Sequence, residues 1–142
     1  METLKKLTSD KIRIGNLIAS SGNPKNRETW TIGKVISISS LGVDFEQVEV
    51  ETSESFEWFF KDNYFSIPLE HEWLIKFGFK IVDVTKEGNN IWRKEWSDGY
   101  FDLEEITSFF FGGDIYSTKI DTVDHLQNLF YFITGEELIF NF

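Results

Sequence analysis

The sequence predicts an α+β fold: a small curled antiparallel sheet or barrel-like half, a short central helix, and a second antiparallel sheet with a C-terminal helix. Three observations carry this expectation. Apolar residues alternate with a period of two through much of residues 11–65 and again through 79–120, as in half-buried strands. The period changes at 68–77, where Leu69, Trp73, Leu74 and Phe77 fall on one helical stripe. A second stripe of Val123, Leu126, Phe130 and Ile133 lies between Asp121, a suitable cap, and Gly135, a suitable stop.

In chain order, 11–18 reads as a strand in which Gly15 marks a bulge or close approach, and 20–26 as a turn-rich loop. Residues 30–39 and 45–50 alternate as strands around a reversal at 41–44. An acidic turn at 51–54 precedes one further strand at 56–65. Short turns between strands of this length suggest curling into a small barrel. Pro68 presets a helix start, and Gly78 can take the left-handed conformation after Phe77. Strands then follow at 79–85, 90–95, 100–104, 106–111 and 115–120. Between them lie turn signals at 87–90, at Ser97, Asp98 and Gly99, and at 112–114. The tail 138–142 is expected to dock or add a short strand. The expected organisation is one compact domain, 1–142, with strand-rich halves at about 1–66 and 79–142 joined by the helix at 68–77.

Composition narrows the function classes. A chain of 142 residues with 41% hydrophobic and 27% charged residues can bury a core and is neither disordered nor membrane-spanning throughout. The 24 acidic against 14 basic residues give a formal charge of -10. That charge disfavours nucleic acid and anionic membranes as partners and favours a protein with a basic surface. Cysteine is absent, so thiolate chemistry and sulfur-ligated metals are excluded. With no apolar run of signal or spanning length, a cytoplasmic setting is expected.

Three segments, IRIGNL at 12–17, IPLEHEWLIKFGF at 67–79 and VDHLQNLFYFITGEEL at 123–138, are similar to those of a set of small uncharacterised proteins of phages and mobile elements in Bacteroidetes-type bacteria. The resemblance implies a phage-associated setting but no activity or catalytic residues. Where that family commonly has Thr or Ser after the Pro-Leu pair, this chain has Glu70, a poorer cap acceptor, so the first helical turn is capped from Ser66 or begins differently.

Chemistry is sparse. His71 stands between Glu70 and Glu72, but neighbours on a helix diverge, so the trio forms neither relay nor metal site. Asp121 and His125 have i,i+4 spacing and read as a surface pair. The adjacent acids Glu104 and Glu105, or Glu136 and Glu137, splay apart along a chain and do not make a glycosidase pair. The Gly112 and Gly113 turn lacks the Lys and Ser or Thr of a phosphate loop. No metal pattern or cofactor motif is present in the sequence. Lys5, Lys6, Lys11 and Arg13 form a local basic stretch suited to solubility and strand-edge protection.

Aromatic residues make up 17% of the chain. The candidate protein-binding residues are therefore the rings Trp92, Trp96, Tyr100 and Phe110 together with the acids Glu51, Glu54, Asp98 and Asp102. Such rings could anchor a partner while the acids steer it; core packing and self-association compete for the same rings. The expected function is a nonenzymatic acidic protein-binding module. In a phage setting, its narrower form is an inhibitor of a host or defence protein. A small hydrolase-like enzyme using a histidine and a carboxylate, and a structural accessory protein, remain the alternatives.

Overall fold

The computed structural model describes residues 3–6, 12–40, 46–60, 63–112 and 117–140. The expected reversal at 41–44, Lys11 of the basic stretch, the tip residues Gly113 and Asp114, and the last two tail residues lie outside them. Among these residues the fold is α+β, with two antiparallel sheets and two α-helices.

The first sheet contains β1 (Lys5–Lys6), β2 (Leu17–Ser20), β3 (Thr31–Ser40), β4 (Glu46–Glu51), β5 (Phe56–Phe60) and β6 (Tyr64–Ser66), in the order β1-β6-β2-β3-β4-β5. The expectation of a curled or barrel-like half is corrected here: the sheet is open. Barrel closure requires the two ends of the strand order to pair, but among the described residues β1 bonds to β6 and β5 bonds only to β4. The cause lies in the aromatic run expected as one strand at 56–65. It is two strands, and after the break β6 pairs with β2 on the opposite side of the sheet.

The first expected strand also differs. Residues 12–16 form a turn held by Arg13 N donating to Asn16 Oδ1 at 2.7 Å and Asn16 N donating to Arg13 O at 3.0 Å. Gly15 takes φ 99°, a conformation that favours glycine. Strand β2 begins only at Leu17.

Ile18, Val35, Val48, Val50, Phe59 and Tyr64 form the core of this sheet, with Ile12 packed against it. Gly33 is required by close approach, since a Cβ there would lie 2.7 Å from Val50 Cβ. These residues, together with Thr122–Asp124, belong to the first of two compact units.

Among the described residues, the second unit comprises 69–112, 117–121 and 125–140. Helix α1 (His71–Lys76) is shorter than the stripe suggested. Pro68 instead makes an isolated bridge with Thr122. Glu70 occupies the N-cap without a side-chain cap bond, and Gly78 at φ 89° ends the turn after Phe77. Six residues cannot sustain a helix alone; burial of Leu69, Trp73, Leu74 and Phe77 holds it.

Strands β7 (Lys80–Val84), β8 (Asn90–Trp96), β9 (Gly99–Glu105), β10 (Phe109–Phe111) and β11 (Thr118–Ile120) form the sheet β11-β10-β9-β8-β7. Phe101 stacks on Phe111 at 4.4 Å and meets Phe130 and Phe79 edge-on at 5.1 and 6.1 Å. Phe130 belongs to α2 (Val123–Thr134), whose Val123, Leu126 and Phe130 are buried as expected, while Ile133 is exposed. Leu138 is buried and Phe140 lies 5.3 Å from Trp73, so the described part of the tail docks without forming a strand. No helix among the described residues is long and apolar enough to cross a membrane.

Candidate functional site

The register of β4 and β5 determines what the first sheet presents. Phe59 lies opposite Val48 and Glu57 opposite Val50, whereas Phe56, Trp58 and Phe60 lie opposite Glu51, Glu49 and Gln47. Directly opposed residues share a sheet face, so Val48 and Val50 draw Phe59 into the core and leave the other three rings on the polar face. Phe59 is 5% exposed; Phe56, Trp58 and Phe60 are 63%, 44% and 54% exposed. Three large rings in a row on one side of a strand form an apolar stripe, unlike scattered surface apolar residues.

Its surroundings are acidic. Residues 46–60 contain Glu46, Glu49, Glu51, Glu54 and Glu57 and no Lys or Arg. The nearby cation Lys34 lies opposite Glu51 on β3, with Nζ 3.7 Å from Oε1. Both side chains are solvated, so this pair contributes little to stability. Glu51 and Glu54, the acids singled out in this part of the sequence, thus sit beside an aromatic stripe that sequence reasoning did not select. Glu54 is exposed in the turn before β5.

The other selected residues belong to the second unit and do not form one surface. Trp92 is 4% exposed and donates its indole N–H to Glu105 Oε1 at 3.0 Å, so it is a core residue. Trp96 is half-buried and shares the Trp92 side of β8. Asp98 is exposed in the two-residue turn whose Ser97 hydroxyl bonds Glu136.

Tyr100, Asp102 and Phe110 share the opposite sheet face, as the β8–β9 and β9–β10 registers require. Asp102 is already engaged there: Arg93 Nε and Nη2 donate to its two oxygens at 2.8 and 2.9 Å. The hydrogen bond to Asp102 raises the Arg93 pKa. The same guanidinium lies 4.2 Å from the Tyr100 ring centroid. Arg93 therefore pairs with Asp102 and lies over one face of the Tyr100 ring, which is still 62% exposed, while Phe110 is half-buried.

The structure also joins residues distant in sequence. His71 Nε2 lies 2.5 Å from Glu105 Oε2, and the imidazole stacks on Trp92 at 5.4 Å and meets Phe109 edge-on at 5.8 Å. Glu105 reaches this cluster because β9 pairs Glu105 with Asn90 on one side and β10 pairs it with Phe109 on the other. Burial pushes its carboxyl pKa up, but hydrogen bonds from Trp92 and His71, reinforced by the His71 charge, bring it below the ordinary carboxylate value.

A carboxyl lowered in the folded state stabilises that state above the ordinary glutamate value, about 4.3, and loses the contribution as pH falls through the lowered value. Glu105→Gln is expected to be less stable than wild type at neutral pH and to show a flatter decline on acidification. Urea midpoints measured from neutral pH down to about pH 3 check this; parallel curves would contradict it. The Glu105 carboxylate thus orients an imidazole and an indole. Among the described residues, no group of three or more His, Asp or Glu could hold a metal ion. No protein-family model, curated protein or solved structure matches the chain.

Proposed function

We propose that the protein is a nonenzymatic acidic protein-binding module whose contact surface is the β4–β5 face. The observation that carries this reading is the exposed row of Phe56, Trp58 and Phe60 opposite Glu51, Glu49 and Gln47. Exposed rings supply area that becomes buried on association, and flanking carboxylates favour a basic partner and speed encounter. In the phage-associated setting implied by the sequence resemblance, the narrower form is an inhibitor that covers a basic surface of a host or defence protein.

The His71–Glu105 pair supports a histidine-and-carboxylate enzyme only in part. Its described contacts account for orientation, whereas hydrolysis also needs an activated nucleophile. The binding reading uses residues already facing solvent.

Capture of proteins from a bacterial lysate by wild type and by the triple variant Phe56→Thr, Trp58→Thr, Phe60→Thr tests the proposal. Threonine retains strand propensity while removing the rings. Proteins retained by wild type are expected to be lost by the variant at unchanged far-UV circular dichroism. An identical set of captured proteins would contradict the assigned surface.

A further inference from the structure

Resting on that protein-binding reading, we infer that the outer edge of β5 takes an extended basic segment as an added strand, with Lys or Arg side chains over Phe56, Trp58 and Phe60. The edges of the two sheets differ in how well they resist strand addition. β1 is two residues long and both are Lys; β11 is three residues with Lys119 at its centre; β7 has an irregular register between Ile81 and Asp83. Short edges, lysines and bulges all discourage pairing. β5 has five residues, a continuous register with β4 and neither Lys nor Pro. It ends the strand order, and among the described residues no strand pairs with its outer side.

A strand added there would present alternate side chains to the ring-bearing face. That face places Glu49 and Glu51 opposite Trp58 and Phe56. A cation over such a ring gains from both the π face and the carboxylates. A second copy of the chain is the less suitable occupant, because each would bring Glu49 and Glu51 on the ring-bearing face and a formal charge of -10.

The test uses a fluorescent synthetic peptide of about ten residues alternating lysine and valine, its counterpart with glutamate for lysine, and an analogue with proline replacing the central valines. Anisotropy is read at low and raised salt. The lysine peptide is expected to bind wild type, to weaken about tenfold or more with Trp58→Thr or Glu49→Lys, and to weaken with salt. The glutamate and proline peptides are expected not to bind. Equal binding of the proline analogue would overturn strand addition, and equal binding of the glutamate peptide would overturn the basic preference. Absence of lysine-peptide binding, or self-association strengthened by salt in solution mass measurements, would overturn the inference as a whole. Loss of captured proteins in the triple-threonine variant without peptide binding would leave the binding-module reading standing and reject only this class of partner. Capture that ignores the stripe would reject the reading itself.

Discussion

Replacing Phe101 by Ala is expected to cost about 3–5 kcal/mol of stability. The ring is 1% exposed and contacts Phe79, Phe111 and Phe130, joining the residue that precedes β7 to β10 and α2 side chains around a β9 residue. Truncation removes transfer free energy and leaves a cavity walled by rings that cannot all collapse into it. Domains retain only about 5–15 kcal/mol in total, so the loss is a large fraction of the margin. Urea denaturation followed by near-UV circular dichroism measures it. A loss below about 1 kcal/mol would show that the site repacks and that Phe101 is not central to the unit.

Trp73→Ala is expected to have an effect of similar size, about 3–5 kcal/mol. Trp73 is 1% exposed and lies 6.1 Å from Phe77 and 5.3 Å from Phe140, with Lys76 Nζ 4.8 Å from its ring centroid. Its loss should also release the tail around Phe140, measurable as faster proteolytic trimming there. Trp58→Thr provides the contrast: its ring is outward, so the expected stability change is within about 1 kcal/mol. Equal unfolding costs at the two tryptophans would contradict their assignment to core and surface.

These two tryptophans show what was legible in the sequence. Around Trp73 the apolar spacing, Phe77 and Gly78 all agree on a buried helical stripe, and local pattern matches tertiary outcome. Around Trp58 the run Phe56, Glu57, Trp58, Phe59, Phe60 places rings on both strand faces, so alternation alone does not select the buried one. The neighbouring strand does. Val48 and Val50 alternate with Gln47, Glu49 and Glu51, and antiparallel pairing transfers that polarity across to β5. Only the register identifies which rings meet the glutamates.

The open sheet was hidden for a related reason. Phe56, Trp58, Phe59, Phe60, Tyr64 and Phe65 read as one aromatic strand, and nothing local shows that β6 crosses to pair with β2. The His71–Glu105 contact depends on the helix and second sheet together. Its members are 34 positions apart, beyond the reach of a spacing rule. Trp92 and Tyr100 illustrate the limit for site prediction. Both are aromatic strand residues, yet sheet register puts one in the core and the other beneath Arg93.

Hydrogen exchange on the complex with a captured protein distinguishes the two faces. Amides of residues 46–60 are expected to gain protection on binding, most strongly along β5, while β8 and β9 exchange as in the free protein. Protection confined to residues 93–110, with β5 unchanged, would contradict this and place the interface on the face carrying Tyr100 and Asp102.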